Sequence, residues 1–125
     1  MADLRAQIAS KVAKAEQFLL LADVAVGSEC WDAGCSLVAS AAISASDALI
    51  MAAGGLIPSR EEHARAAKTL SDLTDASMGR QLHTALKTKS KSQYDSARCS
   101  QKEAEEGLKA ATRLVERAKK VYQNE

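Results

Sequence analysis

The sequence predicts an all-α protein, an antiparallel up-down bundle of four to five helices. Alanine supplies 25 of the 125 residues and, with Leu, Lys, Glu, Gln and Arg, gives a composition dominated by strong helix formers. Only four residues are aromatic and one is proline, whereas β-sandwiches and barrels need β-branched and aromatic residues with frequent turns. A chain of this length buries one modest core, so we predict a single domain over residues 1–125.

The first helix is predicted from an apolar stripe about six turns long. Its members are spaced three or four residues apart: Leu4, Ile8, Val12, Ala15, Leu19, Ala22 and Val26. Gly27 is expected to end this helix, and Ser28 to cap the next one.

The second helix is predicted over residues 29–53 and is rich in Ala, Ser and Gly. Residues 33–57 are mostly uncharged, but small side chains and the internal Asp47 make a poor membrane-spanning sequence. We therefore interpret this segment as the central core helix, ended by Gly54, Gly55 and Pro58.

Three further helices complete the predicted bundle. Ser59 and Glu62 have the spacing of a capping box, which predicts a short third helix that buries Leu70. Residues 74–79 are expected to form a turn, followed by a fourth helix that begins near residue 80, buries Leu82 and turns polar through residue 92. A second capping box, Ser100 to Glu103, predicts the start of the last helix. The inner stripe of that helix is Ala104, Leu108, Ala111, Val115, Ala118 and Tyr122.

The sequence lacks the motifs of common catalytic and metal sites. It has no glycine-rich phosphate loop after a strand, no Glu-x-x-His pair of a di-metal bundle and no serine elbow. Cys30, Cys35 and Cys99 lack zinc-site spacing, so we predict no metal or cofactor and interpret them as reduced, buried thiols. Asp3 and Arg5 interrupt the first apolar residues, and we expect no signal peptide, no membrane contact and a cytoplasmic location.

Positive charge is concentrated in one stretch, although the whole chain carries a net charge of only +1. Residues 76–102 contain six basic side chains and one acidic side chain, whereas residues 1–58 contain three and six. On a continuous helix Arg80, His83, Lys87 and Lys91 would share one face, and an anion such as a phosphate backbone would relieve their repulsion. We predict Arg80, Lys87, Lys91 and Tyr94 as anion-binding residues. Tyr94 could stack on a base, but its preferred interpretation is a half-buried ring with its hydroxyl in water. The alternative for the lysines is a solvated face.

Several segments together resemble the HEPN family, small all-α modules whose long, alanine-rich second helix packs against long first and last helices. The similarity covers about residues 4–120. The matching segments are Asp32–Leu49, the glycines that end the second helix with His63-Ala64 after them, Lys91-Ser92-Gln93-Tyr94-Asp95, and Glu103–Ala111. The resemblance implies a homodimer and a nucleotidyltransferase-like or antitoxin protein as partner.

Ribonuclease members of that family use an arginine, a spacer of four to six residues and a histidine near a tyrosine. The corresponding positions here are Lys87 and Lys91, ahead of Tyr94. A lysine is protonated at neutral pH and lacks the bidentate fork of arginine, so the resemblance does not carry nuclease activity to this chain.

We therefore expect a non-catalytic HEPN-like binding or scaffold module rather than an enzyme. Its basic face, residues 80–98, would meet RNA, a nucleotide or an acidic partner protein in a toxin–antitoxin or nucleotidyltransferase-associated system. One alternative is a metal-independent endoribonuclease with an atypical centre of Arg80 and His83. Another is a purely structural bundle that makes no contact with nucleic acid.

Overall fold

The computed structural model describes residues 3–58 and 63–123, which form helices and no strand. Five helices have 11 residues or more, and a sixth has five. They are α1 (Leu4–Gly27), α2 (Trp31–Ala52), α3 (His63–Leu73), α4 (Ala76–Leu86), α5 (Lys89–Gln93) and α6 (Gln101–Gln123). The predicted all-α bundle is thereby confirmed, while the capping box of Ser59 and Glu62 lies outside the described residues.

Helix α2 is the centre of the bundle and contacts each of the other five helices. It is long and apolar enough to cross a membrane, but 67% of its most apolar window is buried inside the protein. Its small side chains allow this close contact on several sides, and Ala39, Ala41, Ala42 and Ala45 are fully buried. The interpretation of α2 as a core helix is confirmed.

The turn between α1 and α2 differs from the prediction. Helix α1 ends at Gly27 as expected, but Ser28 is the C-cap of α1 and does not cap α2. The residue before α2 is Cys30, which makes no capping side-chain bond. Glu29 takes the left-handed conformation, with φ of 62°, so the reversal is made by a residue with a Cβ atom. Of the predicted stripe, only Leu4 is exposed, and Leu19 is half-buried.

Helix α4 begins earlier and ends earlier than the sequence predicts. Asp75 accepts a hydrogen bond from the Met78 amide at 3.0 Å, so the predicted turn shrinks to residues 74–75 and α4 starts at Ala76. Residues 87 and 88 then form a turn that separates α4 from α5. The predicted polar continuation of α4 through residue 92 is wrong, because the run after Leu86 contains no apolar side chain that could anchor a longer helix.

The second capping box is confirmed at the start of α6. The Glu103 amide donates to Ser100 Oγ at 3.1 Å, and the Ser100 amide donates to Glu103 Oε1 at 2.9 Å. Helix α6 packs on α1, α2 and α4. A Cβ atom at Gly107 would lie 3.1 Å from Val38 Cγ1, so this glycine lets α6 approach α2 closely.

Candidate functional site

The exposed face of α4 carries three of the predicted site residues. Arg80 and His83 lie one turn apart, and Lys87 follows as the C-cap with helical backbone angles, φ −56° and ψ −35°. All three side chains are exposed. Within residues 3–58 and 63–123, no carboxylate lies within 4.0 Å of the charged nitrogens of Arg80 or Lys87. Both cations therefore face solvent without an ion-pair partner in the described part of the chain.

A groove of about 490 Å³ runs between α3 and α4, and Arg80 and His83 both line it. Lys68 and the hydroxyls of Ser71 and Thr84 also line the groove. The Lys68 ammonium is already paired with Asp72 at 2.9 Å, on the surface. The groove thus brings an arginine, a histidine and two hydroxyl groups to one open surface.

Gly79 sets the distance between α3 and α4 below this groove. A Cβ atom at residue 79 would lie 2.8 Å from the Ala67 carbonyl oxygen and 2.8 Å from Ser71 Cβ. Because only glycine fits there, α4 can rest directly on α3 and place Arg80 and His83 at the groove.

Lys91 does not share the face of Arg80 and Lys87. It lies on α5, and its ammonium donates to both carboxylate oxygens of Glu103, at 2.9 and 3.3 Å. The Glu103 carboxylate raises the pKa of Lys91 and keeps the ammonium charged and occupied. The prediction that residues 80, 83, 87 and 91 form one face is wrong, because α4 and α5 are separate helices.

The other cations around α5 also have partners inside the protein. Lys89 Nζ lies 3.4 Å from His63 Nε2, and Arg98 Nε lies 3.2 Å from Asp32 Oδ2. Burial and, second, the Lys89 charge lower the pKa of His63, so this ring is neutral at neutral pH. The amide and guanidinium hydrogen bonds that Asp32 accepts lower the pKa of this carboxyl group. The basic stretch is therefore divided into an open part on α4 and an internally paired part after it.

Tyr94 is the C-cap of α5, and 79% of its surface is exposed. A half-buried tyrosine, the preferred interpretation for this residue, is not what the structure shows. The ring is accessible for stacking, but it follows the paired part of the basic stretch rather than α4.

The cysteines do not form a metal site in the described part of the chain. Cys35 and Cys99 are buried as predicted, whereas Cys30 is exposed, which corrects the expectation for that residue. Burial and the neighbouring Cys35 thiol raise the pKa of Cys99 to about 12, so its thiol stays protonated. No group of three His, Cys, Asp or Glu side chains there is arranged to hold a metal ion.

One cation of the surface was missed by the sequence reasoning. Arg113 of α6 donates from Nη1 to Gln81 Oε1 of α4 at 3.4 Å, and Gln81 follows Arg80 in the sequence. Residues 103–125 have equal numbers of basic and acidic side chains, so the net charge of this segment is zero and does not point to Arg113 as a binding residue. We call Arg80, His83, Lys87 and Arg113 the α4 cationic surface.

The fold and this surface define an all-α helical bundle whose helix α4 carries an open cationic surface. The chain belongs to the HEPN-domain family, whose family model matches residues 10–121. Among curated proteins, no sequence matches the chain significantly.

Proposed function

We propose that this HEPN-domain protein is a non-catalytic, cytoplasmic binding module whose α4 cationic surface takes a polyanion, with single-stranded RNA as the favoured ligand. The observation that carries the proposal is that Arg80 and Lys87 are exposed and have no carboxylate within 4.0 Å among residues 3–58 and 63–123. Other cations of the basic stretch pair within the fold, as Lys91 does with Glu103. Within the basic stretch, the cations that remain free for an external anion are therefore those on α4.

The spacing of these cations suits a phosphate backbone. Lys87 lies seven positions after Arg80, which is about 10 Å along a helix, so the two side chains can reach neighbouring phosphates of one strand. Arg113 widens the surface from α4 to α6. If Arg80, Lys87 and Arg113 each neutralise one phosphate, the logarithm of the binding constant falls with the logarithm of salt concentration with a slope of about −2.

Fluorescence anisotropy with a labelled single-stranded RNA tests this proposal over a range of salt concentrations. The Arg80→Glu, Lys87→Glu double variant is expected to lose at least about tenfold in affinity and most of the salt dependence. The matched control is the Lys14→Glu, Lys119→Glu double variant, which changes the net charge equally at two exposed positions away from α4.

Two results would reject the proposal. One is an unmodified chain that binds no RNA at low salt. The other is an equal loss of affinity in both double variants, because general charge rather than the α4 surface would then govern binding. Tighter binding of polyglutamate than of RNA would favour an acidic protein partner instead, such as a nucleotidyltransferase-like protein or an antitoxin.

A second candidate function is supported by the groove between α3 and α4. Arg80 and His83 line it together, with the hydroxyls of Ser71 and Thr84. In a metal-independent endoribonuclease, Arg80 would stabilise charge on the phosphate, and His83 would take the proton of the attacking 2′-hydroxyl. That hydroxyl oxygen would form the bond to phosphorus as the bond to the 5′-oxygen breaks, and the 5′-oxygen would take a proton from solvent, giving a 2′,3′-cyclic phosphate and a 5′-hydroxyl.

Cleavage of a fluorescence-quenched RNA in the presence of chelator separates the two functions. The binding module is expected to leave the RNA intact. Cleavage that is lost in His83→Ala and yields cyclic phosphate ends would establish the nuclease, whereas cleavage that survives this change would point to a contaminant.

A further inference from the structure

Cys35 and Cys99 form a pair of buried thiols that connects two distant parts of the chain. Cys35 lies on α2 with 1% of its surface exposed, and Cys99 lies just before α6 with 4% exposed. Both belong to a small buried cluster with Val26 and Ala104, apart from the main core. The Cys35 thiol is a hydrogen-bonding neighbour of Cys99 and, after burial, the second cause of the raised pKa of Cys99.

Cys99 is the buried anchor of an otherwise exposed connection between α5 and α6. Residues 93–98 and 100–102 are all exposed, and Cys99 between them is buried. The Cys99 amide donates to Asp32 Oδ1 at 2.8 Å, and Arg98 Nε donates to Asp32 Oδ2 at 3.2 Å. Asp32 lies three residues before Cys35 on α2, so the two residues share one face of that helix. Near Cys99 the connection is therefore held to α2 by one buried side chain and one carboxylate.

The hydrogen bonds of this connection allow it to open without unfolding the helices. Within residues 3–58 and 63–123, the amides of residues 96–99 make no hydrogen bond to another main-chain group. Short exposed segments with few backbone hydrogen bonds open at a much lower free energy than packed helices. Opening here draws Cys99 out of the cluster and uncovers Cys35, so both sulfur atoms meet water.

Opening and closing have opposite effects on the two thiols. In the closed state burial and the Cys35 thiol hold the pKa of Cys99 at about 12, and the protonated thiol is a poor nucleophile. In the open state that burial is lost, and the ordinary thiolate fraction is available for reaction. Closing returns Cys99 to Cys35. Because Cys99 lies outside any helix, its backbone can adjust until the sulfur atoms reach their bonding distance of about 2.05 Å.

We propose that Cys35 and Cys99 form a reversible intramolecular disulfide in the presence of hydrogen peroxide, and that this bond locks the α5–α6 connection onto α2. One cysteine thiolate attacks a peroxide oxygen, the O–O bond breaks, and the departing hydroxide takes a proton to leave as water. The second thiol attacks the sulfenic acid so formed, and its proton leaves with the hydroxyl group as a second water. Two thiols and one peroxide thus give one disulfide and two waters, a two-electron oxidation that two small thiols reverse by exchange. Both cysteines lie outside the α4 cationic surface, so the bond does not depend on RNA binding.

Mass spectrometry of the folded full chain after hydrogen peroxide treatment tests the bond. In a Cys30→Ser background, we expect the intact mass to fall by the mass of two hydrogen atoms and dithiothreitol to restore it. Peptide mapping should link Cys35 to Cys99. Cys99→Ser in the same background is the matched control and should lose no hydrogen, with circular dichroism as the check on its fold. In the unmodified chain the exposed Cys30 reports that the oxidant was active.

Two rates test the opening and the locking. Asp32→Ala removes the carboxylate that holds the Cys99 amide, and it is expected to speed disulfide formation at least about threefold. Asp72→Ala is the matched control, because it removes a carboxylate whose ion pair with Lys68 lies on the surface. Tryptic cleavage after Arg98, whose side chain is 82% exposed, is expected to slow at least about tenfold in the oxidised chain.

Several results would overturn the proposal. One is a Cys35 and Cys99 pair that stays reduced while Cys30 is oxidised. Another is the addition of oxygen to Cys35 and Cys99 separately, without the loss of two hydrogen atoms. A bond from Cys30 to either buried cysteine in the unmodified chain also excludes the assigned pair. Equal rates of cleavage after Arg98 in the reduced and oxidised chains would exclude the locking, and equal oxidation rates in the two aspartate variants would exclude the opening.

Discussion

Asp75 and Arg117 form an ion pair that joins the start of α4 to the last turns of α6. Arg117 Nη1 lies 3.1 Å from Asp75 Oδ2, while Asp75 Oδ1 accepts the Met78 amide at 3.0 Å. One carboxylate therefore caps α4 and fixes it against α6. The Met78 amide and, second, the Arg117 guanidinium lower the pKa of Asp75 because they stabilise its charged form.

Substitutions at this pair are expected to separate the two roles of Asp75. Asp75→Asn keeps a capping oxygen and loses the ion pair, whereas Asp75→Ala loses both. We expect the melting temperature to fall by about 4 °C in Asp75→Ala and by less in Asp75→Asn. Arg117→Ala should match Asp75→Asn in differential scanning calorimetry. A larger loss in Asp75→Asn than in Asp75→Ala would contradict the capping role.

Three carboxyl groups with lowered pKa values predict that the folded protein loses stability in acid. Hydrogen bonds from backbone amides and neighbouring cations lower the pKa values of Asp32, Asp75 and Glu103 below their ordinary values of 3.8, 3.8 and 4.5. Their contribution is fully present above those ordinary values and is lost as the pH falls through the lower values of the folded protein. We expect the urea midpoint to drop steeply below about pH 4.5, and less steeply in Glu103→Gln. An unchanged slope in that variant would exclude Glu103 as a cause.

His63 predicts a separate, earlier effect of pH. Its pKa in the folded protein lies below the ordinary value of 6.5, because burial and the nearby Lys89 ammonium disfavour the imidazolium. The stabilising contribution is therefore full above pH 6.5 and is lost as the pH falls through 6.5 toward the value in the folded protein. Urea unfolding between pH 7.5 and pH 5.5 should show this slope in the unmodified chain, a smaller slope in Lys89→Gln and the smallest in His63→Gln. Equal slopes in all three would reject His63 as the titrating group.

Gly79 and Gly27 offer a matched pair of glycine substitutions. A Cβ atom at Gly79 meets the Ala67 carbonyl oxygen at 2.8 Å, whereas nothing lies within 4 Å of a Cβ atom at Gly27. We expect Gly79→Ala to lower the free energy of unfolding by about 1–2 kcal/mol, because overpacking outweighs the better helix propensity of alanine. Gly27→Ala should leave it unchanged or raise it by less than about 1 kcal/mol. Equal effects in urea titrations would show that α3 and α4 can move apart at no cost.

Lys91 is expected to contribute to stability, whereas Lys87 is expected to contribute to RNA binding. Lys91→Met breaks the ion pair with Glu103 and is expected to lower the melting temperature without changing the salt dependence of RNA binding. Lys87→Met should do the reverse and make the salt slope less negative by about 0.7. Thermal melts and anisotropy titrations on both variants decide this. A loss of RNA affinity confined to Lys91→Met would show that the RNA-binding site lies on α5 instead of α4.

Most of the fold was predictable because the helices bury periodic apolar faces. The stripe of α1, the glycine stop at Gly54 and the capping box of Ser100 each depend on residues close in sequence. The start of α4 was misplaced because Asp75 is equally suited to a turn and to an N-cap, and the contact with Arg117 was not visible in the sequence. The break after Leu86 was not predicted, because like charges at helical spacing are compatible with a continuous helix, whereas no apolar residue there supports one.

The candidate site was predictable only in part. Arg80, His83 and Lys87 share a face because four-residue and three-residue spacing places them there on any helix. Whether a cation faces solvent or forms an ion pair depends on residues distant in sequence. Lys91 pairs with Glu103, 12 positions away, and Arg98 pairs with Asp32, 66 positions away.

The contact of α2 with every other helix has a consequence for how the protein comes apart. No helix can detach without uncovering part of the same alanine-rich surface, so each loss weakens the attachment of the helices that remain. We therefore expect denaturation to be a single cooperative event, with one transition for all spectroscopic probes and no separately folded fragment.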